Sequence, residues 1–289
     1  MRIERILLPT DFSETAEHAA KLAARLAVQH GARIDVFHAV TLDADDPMML
    51  EKAMDEYLRD VGEDVLDELA KRSESLRRRG IPVQLSTSRS TSASDAILDK
   101  VDELRPDLVV MGTQGRTGLG KLVLGSVAET VVRHAPGHVL TVGKDARVSD
   151  SGDGFGRILV PVDFSPLSPR SIEVARSLLG SDGELVLHHV VSNPVLPSLY
   201  AGSFVRMFQV DPELPERIRD ELSSLYGGPG EIIVTEGQVV EELLATVESR
   251  AVELIVMGTK GLSGLEHVLV GSVTERIVRL ARAPVLSVK

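Results

Sequence analysis

The chain has 289 residues, about twice the usual domain length, so two domains are expected. Its 43 acidic and 32 basic side chains leave a net charge of -11, and only 3% of residues are aromatic, with no Trp. This excludes a general nucleic-acid binder, which needs a basic surface or stacking platforms. The absence of Cys excludes disulfide frameworks, thiol catalysis and Cys-based zinc sites. The charged start Met1-Arg2-Ile3-Glu4-Arg5 and the lack of any apolar run of roughly 20 residues predict a cytoplasmic chain with no membrane partner.

The sequence repeats itself. Ile6-Leu7-Leu8-Pro9-Thr10-Asp11-Phe12-Ser13 returns as Ile158-Leu159-Val160-Pro161-Val162-Asp163-Phe164-Ser165. Asp107 to Val142 aligns without gaps on Glu253 to Val288, with 18 of 36 positions identical. The polar, Gly-rich span 146–156 reads as a linker between domains 1–145 and 157–289.

In chain order, Arg5–Leu8 reads as a buried strand, and Ser13–His30 as a helix ending at Gly31. Ile34–Val40 reads as a strand, and Pro47–Arg79 as a long helix whose apolar edge takes Met48 and Met49. Val83–Ser86 is a third strand, and Ser94–Leu104 a helix with Ser94 as its N-cap. Leu108–Met111 is an unbroken apolar strand, followed by helix Ser126–His134 and strand His138–Val142. The second copy repeats this plan, except that between Asn193 and Pro229 only Pro215–Leu225 looks helical. Such alternation predicts an α/β chain: two doubly wound domains, each a parallel sheet with helices on both faces.

Ligands of such sheets bind beyond the carboxyl ends of the strands, where strand order reverses. There the sequence places Gly112-Thr113-Gln114-Gly115, nine residues, then Gly125-Ser126; the second copy has Gly258-Thr259-Lys260-Gly261, nine residues, then Gly271-Ser272. Glycines at these points let backbone N–H groups approach an anion, with a turn at Gly115 that calls for φ > 0, and the following helix offers its N-terminus. The same glycines also suit plain turns. Ser126-Val127-Ala128-Glu129 and Ser272-Val273-Thr274-Glu275 read equally as capping boxes that need no ligand. Asp11 and Asp163 suit a ribose hydroxyl, an amine or Mg²⁺, or else simply charge the start of a helix. Arg116 and Lys260 are candidate phosphate cations at non-equivalent positions, or solvated loop charges. His38 and His189 read as satisfied histidines, with no metal site expected.

The G-x-x-G-x9-G-S spacing, the strand ending Pro9-Thr10-Asp11-Phe12-Ser13 and the terminal Val139-Leu140-Thr141-Val142 resemble ATP-binding universal stress protein domains, in both halves. The resemblance implies five-stranded sheets in the order 3-2-1-4-5. It places Pro9, Thr10, Asp11 and Ala39 around the nucleoside, and Met111, Gly112, Gly115, Gly125, Ser126 and Val127 on ribose and phosphates. The matching set is Pro161, Val162, Asp163, Val190, Met257, Gly258, Gly261, Gly271, Ser272 and Val273. It departs from the family at Ala39, where Val is usual, and at Val162, which lacks the hydroxyl of Thr10. It further implies a nucleotide-dependent regulator in stress or dormancy that binds ATP, with or without Mg²⁺. Pairing of the domains through their last strands and a possible homodimer are implied too, with an unknown protein partner.

Two other functions compete with the regulator. An enzyme is disfavoured because the chain lacks H-x-G-H and S-G-G-x-D, although weak ATP hydrolysis is compatible with it. An interaction module with empty sites is disfavoured by the retained glycine spacing.

Overall fold

The computed structural model describes residues 1–41, 67–68, 70–115, 124–147, 154–192, 211–259 and 270–289. The chain divides into two compact units, one built on Arg2–Lys144 and one on the C-terminal half, to which Asp145–Arg147 also belong.

The N-terminal unit starts with β1 (Arg5–Pro9), whose Ile6, Leu7 and Leu8 are sealed from solvent. Helix α1 (Glu14–His30) follows, because Ser13 caps it by accepting the Ala16 N–H. It stops where Gly31 takes φ 67, the left-handed conformation that costs glycine least. Its Ala- and Leu-rich stripe (Ala16, Ala19, Leu22, Ala23, Leu26) is the face turned to the core. Then come β2 (Arg33–Thr41), α2 (residues 70–78), β3 (Val83–Ser90), α3 (Ala93–Leu104), β4 (Leu108–Gly112), α4 (Ser126–His134) and β5 (His138–Val142). All described pairings in this unit are parallel, in the order β3-β2-β1-β4-β5.

The second unit repeats this as β8-β7-β6-β9-β10, from β6 (Phe155–Pro161), β7 (Leu179–Ser192), β8 (Gly230–Gly237), β9 (Leu254–Gly258) and β10 (Val285–Val288). Its helices are α5 (Leu167–Leu178), α6 (Leu214–Tyr226), α7 (Val239–Ser249) and α8 (Ser272–Leu280). The architecture is the doubly wound α/β fold expected, in two copies.

Four details differ from expectation. β3 runs on to Ser90, because β2 pairs with it from Ile34↔Val83 to Thr41↔Ser90, although its polar sequence carries no apolar run. The N-cap of α3 is Ser92, whose Oγ accepts the Asp95 N–H, while Ser94 only bonds to the Ser92 hydroxyl. β6 begins at Phe155, inside the span read as linker; Phe155 is 1% exposed and Ala146 8%, so that span contributes to a core. The helix read as Pro215–Leu225 runs from Leu214 to Tyr226. Most of the predicted helix Pro47–Arg79, with Met48 and Met49, lies outside the described residues, as do residues 193–210.

Candidate functional site

At the carboxyl ends of β1, β2 and β4 the N-terminal unit holds a cleft of ≈ 470 Å³, a size within the range of small-molecule sites. Every predicted residue of this half that is described lines it. Pro9, Thr10 and Asp11 come from the end of β1, Ala39 from β2, and Met111, Gly112 and Gly115 from the end of β4. Gly125, Ser126 and Val127 come from the start of α4. Arg116 lies outside the described residues.

The glycines sit close against their neighbours. A Cβ on Gly112 would lie 2.5 Å from Thr15 Oγ1 and 2.9 Å from the Thr15 backbone, so no side chain fits there. A Cβ on Gly115 would meet Asp11 Oδ2 at 2.9 Å. Gly115 is not among the residues with positive φ, which corrects the expectation of a left-handed turn: the constraint is the neighbouring carboxylate, not the torsion. A Cβ on Gly125 would stand 3.1 Å from the Thr113 carbonyl, which also accepts the Gly125 N–H at 2.8 Å and closes the base of the loop.

Helix α4 starts at Ser126 as expected, but its cap differs. Gly125 is the N-cap, at φ -63 and ψ 141 with no side-chain bond, and Ser126 is the first helical residue. The capping-box reading of Ser126 is therefore corrected, and Glu129 instead holds Arg133 at 2.8 Å. Gly271 and Ser272 repeat this arrangement, with the Gly271 N–H on the Thr259 carbonyl at 2.7 Å. The first-turn N–H groups of α4 have no intrahelical acceptor and stand at the cleft wall, where the positive end of the helix favours an anion.

Asp11 joins the turn before α1: its Oδ1 accepts the Ser13 N–H at 3.1 Å. Thr10 Oγ1 likewise accepts the Phe12 N–H at 3.1 Å. These bonds support Phe12 at φ 65, a conformation that costs a bulky residue on the order of 1 kcal/mol and clusters at ligand sites. The Phe12 ring stacks on His38 at 4.8 Å, and His38 Nδ1 bonds to the Thr10 carbonyl at 2.7 Å. His38 is thus a satisfied histidine, and it also lines the cleft. Sequence reasoning passed over the strained turn at Phe12, which packs against His38 at the cleft wall; its signal was the repetition of Asp-Phe-Ser in both halves.

The second unit repeats the turn with Phe164 at φ 59, its ring 5.0 Å from His189, and His189 Nδ1 2.7 Å from the Val162 carbonyl. Pro161 ends β6 and Val162 and Asp163 follow it, Val190 lies near the end of β7, and Met257 and Gly258 end β9. Gly271, Ser272 and Val273 open α8; Lys260 and Gly261 lie outside the described residues. The chemistry differs from the first half. Val162 is only 3% exposed, and Asp163 Oδ1 receives both the Ser165 N–H at 3.0 Å and the Ser168 hydroxyl at 2.9 Å. His188 replaces the buried Phe37; its ring nitrogens bond to the Thr235 and Thr246 hydroxyls at 2.9 and 3.1 Å. Burial, and then the neighbouring His189, lower its pKa to about 4.

Among the described residues, no cluster of three or more His, Asp or Glu could hold a metal ion, and no helix is long and apolar enough to cross a membrane. Comparison with known proteins places these features in a family. A universal stress protein of Mycobacterium tuberculosis H37Rv is 26% identical over 286 residues, covering 97% of this chain and 95% of its own. A universal stress protein of Methanocaldococcus jannaschii is 31% identical over 144 residues, covering 49% of this chain and 82% of that protein. The crystal structure of a universal stress protein from Archaeoglobus fulgidus shares the fold across 100% of this chain and 99% of its own, at TM-score 0.71 and 23% identity. The universal stress protein family model matches twice, over residues 2–143 and 154–289, and the chain belongs to that family as a tandem of two such domains.

Proposed function

We propose that the protein is a nucleotide-dependent regulator that binds ATP in the cleft of its N-terminal unit. The observation that carries this reading is the convergence, on one ≈ 470 Å³ cleft, of two close-packed glycines (Gly112 against Thr15, Gly115 against Asp11), a glycine-capped helix start and the Asp11 carboxylate. Backbone N–H groups and the helix end suit phosphates, and Asp11 suits a ribose hydroxyl or a nucleotide-borne Mg²⁺ better than a bare phosphate. Ala39 and Ile97 supply apolar wall for a base.

The reading is of binding and not of catalysis. The carboxylates at this cleft serve structure: Asp11 takes the Ser13 N–H, and Glu129 takes Arg133. Neither is set up as a general base toward a γ-phosphate. In the C-terminal unit the doubly bonded Asp163 and the buried Val162 favour a weaker or empty site, which would act as an interaction module.

Titration calorimetry of the full chain with ATP, ADP and AMP, beside mass spectrometry of nucleotides released on denaturation, tests the proposal. Adenine nucleotide bound with micromolar or tighter affinity is the expected result. A protein that releases no nucleotide and gives no heat with ATP is an interaction module instead.

A further inference from the structure

Thr15 is buried, 3% exposed, in the first turn of α1, although a hydroxyl there has no part in capping that helix. The cap is Ser13, whose Oγ accepts the Ala16 N–H at 3.3 Å. Thr15 Oγ1 instead reaches across to the loop after β4 and donates to the Gln114 carbonyl. Ser13 Oγ stands 3.1 Å from Thr15 Oγ1 and 3.4 Å from the same carbonyl, so two hydroxyls of α1 grip one loop oxygen. The bareness of Gly112 is what admits Thr15: any Cβ there would occupy the place of the Thr15 hydroxyl.

The peptide joining Gln114 to Gly115 is planar and trans, so its C=O and N–H point in opposite directions. A carbonyl held against α1 therefore turns the Gly115 N–H away from α1. Gly115 itself lines the cleft. We infer that Thr15 is the positioning residue of the phosphate cradle, orienting the Gly115 N–H as a donor to a nucleotide phosphate. This rests on the ATP-binding reading and names how the site selects phosphate over bare nucleoside.

The second copy lacks the device. By the alignment of Ser13 with Ser165, Thr15 corresponds to Leu167, which has no hydroxyl. There Thr274 Oγ1, at the position of Ala128 in the first half, donates to the carbonyl of Gly258, the counterpart of Gly112, at 2.9 Å. Phosphate discrimination by this device belongs to the first half alone.

The test uses the full chain, with Thr15→Val and Thr15→Ser, titrated with ATP and with adenosine. Thr15→Val keeps the shape and removes the hydroxyl; it is expected to weaken ATP at the first site about tenfold or more while adenosine changes less than threefold. Thr15→Ser is expected to restore ATP binding to within threefold of wild type. In wild-type protein, the Gly115 amide resonance is expected to shift on adding inorganic tripolyphosphate. Equal losses for ATP and adenosine, a Ser variant as weak as the Val variant, or a Gly115 amide unmoved by tripolyphosphate would each overturn the assignment. Wild-type protein that binds no ATP refutes the ATP reading itself, whereas wild-type binding left intact in Thr15→Val refutes only the role of Thr15. Should Thr15→Val not fold, the Ser variant and the Gly115 amide decide alone.

Discussion

Replacing Gly115 with Val tests the cleft most directly. The new Cβ would lie 2.9 Å from Asp11 Oδ2, closer than real side-chain contacts allow, so either the carboxylate or the loop must move. The Asp11 carboxylate cannot swing freely, because its Oδ1 holds the Ser13 N–H at the start of α1. The β-branched side chain would also stand where backbone meets phosphate. Losing two hydrogen bonds to a charged group, each worth about 1.5–3 kcal/mol, weakens ATP binding by roughly a hundredfold or more at the first site. Stability should fall only modestly, by about 1–3 kcal/mol, because Gly115 is exposed and its φ is not positive but the clash must be relieved by moving the carboxylate or the loop. Calorimetry with ATP reads the first effect and a urea melt the second. A variant that keeps wild-type affinity and stoichiometry refutes the phosphate reading of this loop; one that binds weakly only because it is unfolded refutes the steric argument.

Three further outcomes follow from the two units. Residues 1–145, which hold a complete five-stranded parallel sheet, should express as a soluble domain with a cooperative thermal melt; an aggregated or non-cooperative product counts against this. Arg5→Met should cost about 3–5 kcal/mol in urea unfolding, because Asp35, 3% exposed and held at 2.7 Å, loses its closest cation. Arg157→Met, whose partner Glu184 is 41% exposed, should cost no more than about 1 kcal/mol, and equal costs would refute the burial argument. His188 has a folded pKa of about 4 against 6.5 unfolded, so the unfolded chain binds the proton first. Stability from this group is complete above pH 6.5 and declines as pH falls toward 4; His188→Phe should flatten the fall in urea stability between pH 7 and pH 4.5.

The fold was readable because its signals are local. Buried parallel strands such as Leu108–Gly112 are unbroken apolar runs, and Gly31 marks the end of α1 by its left-handed torsion. β3 was misjudged in length because register with β2, not its own Ser- and Thr-rich sequence, keeps it extended. The first-half cleft was legible through glycine spacing, yet the reasons for the glycines were not. That Gly112 makes room for Thr15, and Gly115 for Asp11, depends on elements about 100 residues apart in sequence. Likewise the capping-box pattern at Ser126 gave a plausible local reading that a long-range bond, Gly125 to Thr113, displaced.

The same Gly125–Thr113 bond has a consequence for how this architecture tolerates change. Thr113 and Gly125 are joined at 2.8 Å, and their counterparts Thr259 and Gly271 at 2.7 Å, through main-chain atoms alone, so the residue after β4 and the cap of α4 are tied without any side chain. A link made between two main-chain groups is indifferent to side-chain identity, so Thr113 can be replaced without either of its bonding atoms being lost.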